Sequence, residues 1–225
     1  MIVAIIPARS GSKRIINKNI KLFKGKPIIA WSIEEALKSK IFSKVLVSTD
    51  SIKIARVAKQ YGAQILGLRP KNLSGPKTPL NEVMKYEIKK MKKKKFNYKY
   101  YCLIYATAPM IEKGDLIQGY KKIQKNKFDF VLSISKINTN ILRSLYIKDS
   151  YIKPFFKKNT FKNTQDLKQL YCDGAQFCFG KDISWMKKHP FNSKTGFITI
   201  PSHRFQDIDN IEDFIMAAKL FKKRN

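Results

Sequence analysis

The sequence predicts a three-layer α/β/α domain built on a mostly parallel sheet, and three observations carry that prediction. Apolar, β-branched runs recur at 2–6, 45–48, 64–66, 100–105 and 130–134. Stretches of helical character fall between them, near 28–38, 52–61, 80–92 and 115–125. Strands alternating with helices pair in parallel, because a crossover helix returns the chain to the same edge and covers one face of the sheet. The 225 residues are 44% hydrophobic, enough for one sizeable core with a small excursion, and nothing demands two domains.

The first strand breaks at Pro7 into Ala8-Arg9-Ser10-Gly11-Ser12-Lys13-Arg14. Small residues let backbone N–H groups crowd around an anion, while Arg9 and Lys13 supply charge against a polyphosphate. Lys18 and Asn19 close this loop. Gly25-Lys26-Pro27 reads as a turn, with Pro27 starting the first helix. Ligands of such sheets bind beyond the carboxyl ends of the strands, so the 8–19 loop, Asp50 and the 106–109 turn should converge on one edge. From 136 to about 170 the alternation stops, and Leu-Tyr-Ile-Lys-Asp-Ser-Tyr-Ile-Lys-Pro reads as a hairpin turning at Asp149 and Ser150. A connection this long inside a compact domain needs a job.

Near the end, Asp207 and Asp209 flank Ile208 on a segment that reads as extended, which points both carboxylates to one side. At roughly 5 Å they repel by about 3 kcal/mol at an effective dielectric near 20, which favours a bound cation or a raised pKa. Asp209 with Glu212 also satisfies a capping box for a last helix over 210–221.

The formal charge is +30, and lysine clusters are the footprint of a nucleic-acid binder. Only seven of the 46 basic residues are arginine, however, and lysine is spread through every segment without a helix-turn-helix, finger or aromatic RNA signature. A basic nucleic-acid-binding module therefore ranks second to an enzyme, and the charge is read as aiding capture of anionic substrates. No Gly-x-x-x-x-Gly-Lys-Ser/Thr occurs, which excludes a P-loop enzyme. Cys102, Cys172 and Cys178 lack Cys-x-x-Cys spacing and read as free thiols in a reducing compartment. With no signal segment and no apolar run of membrane length, a cytoplasmic protein is expected.

Six blocks in order, Ile-Pro-Ala-Arg-x-Gly-Ser-Lys-Arg with Lys18-Asn19-Ile20, then 47–63, Leu68-Arg69-Pro70, 105–109, Asp173-Gly174-Ala175-Gln176-Phe177 and 203–213, cover nearly the whole chain. Together they resemble the cytidylyltransferases that activate nonulosonic, sialic-acid-like sugars as CMP-sugars. The resemblance implies the nucleotide-diphospho-sugar transferase fold, CTP and a sugar acid as substrates, Mg²⁺ as cofactor, and a homodimer in which the 136–170 excursion packs on a second subunit. Arg9, Lys18, Asp207 and Asp209 become the catalytic set, with Asp209 and Asp207 holding the metal. Ala8, Arg9, Gly11, Ser12, Lys13, Lys18, Asn19, Arg69 and Thr78 fall on the nucleotide side. Tyr105, Thr107, Asp173, Gln176 and Arg204 fall on the sugar side.

Enzymes for sialic acid usually carry Gln-Pro-Thr-Ser-Pro at 105–109 and Asn-Gly-Ala at 173–175. The Tyr-x-Thr-Ala-Pro form here, Gln176-Phe177 and the His203 to Asp209 run are similar to pseudaminic acid enzymes instead. Asp173-Gly174-Ala175 stands where those read Asp-Ala-Gly, which bears on the shape of the sugar pocket, and sialic and legionaminic acids stay as alternatives because hydrogen bonding at one or two ring substituents separates these sugars. Kdo synthetases carry Gly-Asp-Glu-Pro in place of residues 106–109 and rank low.

Overall fold

The computed structural model describes residues 1–125, 127–137 and 141–221. The chain opens with β1 (Ile2–Pro7), a miniature hairpin of β2 (Leu22–Phe23) and β3 (Lys26–Pro27), and α1 (Ile28–Lys38). It continues through β4 (Lys44–Ser48), α2 (Ile52–Gln60), α3 (Leu80–Lys93), β5 (Tyr100–Ile104), α4 (Lys113–Gln124) and β6 (Phe130–Lys136). A second hairpin, β7 (Leu145–Lys148) and β8 (Tyr151–Pro154), precedes β9 (Tyr171–Lys181), α5 (Asp182–Lys187), β10 (Thr195–Ile200) and α6 (Ile211–Leu220).

The six-stranded sheet has the order β10-β6-β9-β5-β1-β4. β1 pairs in parallel with β4 and β5, β10 pairs in parallel with β6, and only β9 runs against its neighbours. The expected segment at 64–66 is not a strand: Gln64 makes a single bridge to Leu46 and then the chain turns away.

The period of two sorts the strand side chains into two cores. Ile2, Ala4, Ile6, Val45, Val47 and Ile104 face Ile29, Ile33, Ala58 and Leu116 from α1, α2 and α4. Val3, Ile5, Leu46 and Leu103 face Met84, Ile88 and Met91 from α3, with Trp185 of α5. These are the expected three layers. A third cluster joins Ile15, Phe23 and Ile28 to Ile208, Phe214 and Phe221, with Phe23 edge-on to Phe214 at 5.3 Å. It clamps the chain's last described helix beside the loop after β1.

The hairpin turns at Asp149 and Ser150 as read, at φ 48° and 67°. Positive φ at both central residues matches the right-handed twist of the strands it joins. α6 is capped one residue later than the sequence reading placed it. The Asn210 side chain accepts from Asp213 N–H, and the Asp213 carboxylate accepts from the Asn210 N–H, so the capping box is Asn210 with Asp213 rather than Asp209 with Glu212.

Candidate active site

The loop after β1 is pinned at both ends. Ala8 N–H donates to Ser48 O at 2.9 Å, and Ser10 donates twice to Asp50, from its N–H at 2.8 Å and its hydroxyl at 2.6 Å. At the far end Asn19 Nδ2 donates to Arg9 O at 2.9 Å, and Asn17 takes the left-handed conformation, φ 54°, to turn the chain. Burial pushes the Asp50 carboxyl up, but the two Ser10 bonds, its own amide and nearby Arg69 outweigh it and hold its pKa below the ordinary value. Asp50 was expected only to lie at this edge; the structure makes it the anchor of the loop.

That loop forms one wall of an open cleft of about 200 Å³. Arg9, Ser12, Lys13, Lys18 and Asn19 line it from the loop, Arg69 and Thr78 from the chain between α2 and α3, Tyr105 and Thr107 from the turn after β5, and Asp209 from the C-terminal side. Ten expected site residues thus meet in one place, and Arg14 joins them. Ala8 is buried beneath the loop, with its backbone in the sheet edge. Gly11 sits exposed at the loop tip, where a Cβ would meet nothing within 4 Å, so packing does not demand glycine there.

Ile208 is wholly buried in the third cluster, which leaves Asp207 and Asp209 on the opposite side of the extended segment. Asp209 N–H donates to Asp213 Oδ2, so the cap of α6 also sets this segment. Lys18 Nζ donates to Ile208 O at 2.5 Å and stands 3.7 Å from Asp209 Oδ1, while Arg14 Nη2 reaches the same oxygen at 2.9 Å. Burial lowers the Lys18 pKa; the Asp209 and Asp207 charges partly offset it and Arg14 adds to it. Asp207 is raised, first by partial removal from water and then by Asp209, with Lys18 opposing.

A second, mostly apolar cavity of about 180 Å³ shares Leu80, Leu103 and Tyr105 with the cleft. Its polar groups include Asp173, Asn81 and His189, set among residues such as Leu132, Trp185 and Phe191. The Tyr105 hydroxyl donates to Asp173 Oδ2 at 3.3 Å, and burial raises Asp173 despite that bond and one from Ala175 N–H. Gln176 and Arg204 line neither cavity. Arg204 is bound by Asp115 at 2.7 and 3.2 Å and by Glu112 at 2.9 Å, and Gln176 Nε2 donates to Arg204 O. The sequence places Arg14 in the basic loop without assigning it a role, and it gives no signal for Asn81 or His189.

Two carboxylates beside a ring of cations suit a hard divalent ion that keeps water and phosphate oxygens as its other ligands. Among the described residues no group of three or more His, Cys, Asp or Glu is placed to hold a metal unaided.

Comparison with known proteins gives the family. The chain is 36% identical over 222 residues to the pseudaminic acid cytidylyltransferase of Campylobacter jejuni, covering 98% of this chain and 96% of that one. It is 33% identical to the N-acylneuraminate cytidylyltransferase of Escherichia coli O18:K1:H7 across its whole length, which is 53% of that protein. Among solved structures, CMP:2-keto-3-deoxy-manno-octonic acid synthetase complexed with CTP shares the fold, with a TM-score of 0.71 at 15% identity and 97% of each chain covered. The cytidylyltransferase family model matches residues 3–222, and the chain belongs to the cytidylyltransferase family.

Proposed function

We propose that this nucleotidyltransferase transfers CMP from CTP to the anomeric hydroxyl of a nonulosonic acid, pseudaminic acid being the substrate, and releases pyrophosphate. The observation that carries the reading is the meeting of Arg9, Lys13, Lys18 and Asp209 in one cleft that shares a wall with an apolar cavity. The anomeric oxygen forms a bond to the α-phosphorus of CTP, the bond from that phosphorus to the bridging oxygen breaks, and pyrophosphate departs with the electron pair. Both substrates are anions, so positive charge must offset their repulsion and the charge that grows on the leaving group. Lys18 is the cation assigned to the α-phosphate, with Arg9 and Lys13 along the triphosphate. Ala8, Gly11, Ser12 and Asn19 offer loop backbone and side-chain donors, and Arg69 and Thr78 take the nucleoside side.

Asp209 and Asp207 are assigned to Mg²⁺, which when bound neutralises phosphate charge and removes the repulsion between the two carboxylates. Asp207 is also the proposed acceptor of the anomeric proton. Tyr105, Thr107 and Asp173 are assigned to the sugar, whose acyl groups match the cavity's apolar walls. Gln176 and Arg204 brace the segment that carries the two aspartates. The exposed apolar face of the β7–β8 hairpin, where Ile147 and Ile152 are 80% and 70% exposed, is proposed to cover a second copy of the chain in a homodimer. CTP supply and three free thiols accord with a cytoplasmic enzyme.

The test is pyrophosphate release with CTP, Mg²⁺ and pseudaminic, legionaminic or N-acetylneuraminic acid in parallel, with ATP, GTP and UTP as controls. Turnover with CTP and pseudaminic acid is expected. Turnover with another acid alone replaces the sugar assignment, and none with any acid overturns the reaction.

A further inference from the structure

Arg69 differs from the other cations of the cleft in being only 4% exposed. A guanidinium cannot shed its charge on burial, and its five donors form a rigid fork, so its orientation is set by whatever meets each nitrogen. Nε donates to Ser74 Oγ at 3.2 Å and Nη1 to Ser48 Oγ at 3.4 Å. Nη2 meets no protein acceptor among the described residues, and the residue lines the cleft.

The Ser48 hydroxyl has one proton, and it goes to Glu87 Oε1 at 2.6 Å. Its oxygen can then only accept from Arg69, so the chain of bonds runs one way, from guanidinium through hydroxyl to carboxylate. Ser48 ends β4, and Glu87 lies on α3, 4% exposed, between the apolar residues Met84 and Ile88. Burying a carboxylate among such residues costs several kcal/mol before any partner is counted, and an apolar pair would serve stability as well or better. Burial pushes the Glu87 pKa up, and the Ser48 bond, then Lys90 and Arg69, offset part of that push. Burial lowers the Arg69 pKa, the Asp50 and Glu87 charges oppose that, and Arg9 adds to it. What the fold leaves for a ligand is the directed Nη2 donor edge of a held guanidinium.

We propose that Glu87 is a positioning residue for the nucleotide, acting through Ser48 to hold the open edge of Arg69 toward the cleft. The proposal rests on the reaction given above. It is tested with Glu87→Ala, Glu87→Gln and Ser48→Ala by CTP binding calorimetry without sugar, by steady-state kinetics and by thermal unfolding. Glu87→Ala and Ser48→Ala should each weaken CTP binding and raise its KM about tenfold, with kcat and the sugar KM within about twofold. The pair combined should be no worse than either alone, because both cut the same chain of bonds. Glu87→Gln keeps an acceptor for Ser48 and should recover CTP affinity to within about threefold of wild type. Lowered melting temperatures with wild-type CTP affinity would overturn the positioning role. Should Glu87→Ala not fold, Ser48→Ala carries the same test. Wild-type protein that binds CTP without turnover would sink the proposed reaction and leave the binding comparison to judge Glu87, whereas absence of CTP binding would sink both.

Discussion

Lys18→Met separates binding from rate at the centre of the cleft. The methionine keeps most of the volume and removes one charge and three donors. In the resting protein the ion pair contributes little: Asp209 is half-exposed and already paired with Arg14 at 2.9 Å, so its contact with Lys18 at 3.7 Å is worth at most about 1 kcal/mol. The Ile208 carbonyl loses a charged donor at 2.5 Å, about 1–3 kcal/mol. At about 2–4 °C per kcal/mol for a chain of this length, the melting temperature should fall by at most about 16 °C. The rate should suffer more, because charge on pyrophosphate develops only in the transition state. Removing one preorganised donor from such a site costs about 10²–10³ in kcat. The assay is pyrophosphate release at saturating CTP, with Lys18→Arg as the charge-retaining control. A kcat within about threefold of wild type, with only the CTP KM raised, would show that Lys18 binds ground and transition states alike, and the catalytic assignment would fall.

The remaining expectations concern the frame, the loop and the field. Gly180→Ala would place a Cβ 2.5 Å from Trp185 Nε1 and 2.7 Å from the Phe130 ring, so overpacking should cost about 1–3 kcal/mol and lower the melting temperature without changing the CTP KM. The Asp50 pKa is depressed in the fold, so its contribution is fully present above its unfolded value near 3.8 and is lost as pH falls through the lower folded value. Melting curves of wild type and Asp50→Ala should therefore differ at neutral pH and converge in acid below that value; a constant gap would discount the Ser10 clamp. At a formal charge of +30, kcat/KM for CTP should fall steeply as salt rises while kcat stays level, and a flat salt profile would deny the field any part in capture.

The parts of this protein legible in its sequence are those where one segment says one thing. β1, β4, β5 and β6 are buried on both faces, so the first three read as unbroken apolar runs and β6 as one interrupted by Ser133. β9 did not read as a strand. Gly174 and Gly180 interrupt its apolar character, and Ala175 at φ 46° breaks its register against β6 between Leu132 and Ile134. Those glycines are there because Ser133 and the Phe130 and Trp185 rings press on the backbone, which only the assembled sheet shows. The cap of α6 was misplaced by one residue because Asp209 to Glu212 and Asn210 to Asp213 satisfy the same pattern, and only the backbone chooses between them. Contacts such as Ser10 with Asp50 or Ser48 with Glu87 join residues about 40 positions apart and leave no local trace.

The placement of acids carries the last step. The chain has 16 acidic residues against 46 basic ones, so a carboxylate anywhere finds cations nearby and surface pairing alone predicts no pattern. Yet Asp173 and Asp209 line the two cavities, Asp207 stands beside Asp209, and Asp50 and Glu87 tie the phosphate-side loop and Arg69 in place. Glu112 and Asp115 grip Arg204, and Asp213 caps the helix that holds Asp209. Half of the acids thus serve one edge of the sheet. A positive field distributed over the whole surface draws anions in without ordering them, whereas scarce carboxylates held by hydrogen bonds fix where each cation points. Capture therefore resides in the lysines and geometry in the acids, which is why adding surface lysine should change kcat/KM at low salt and removing any one of these eight carboxylates should change it at every salt concentration.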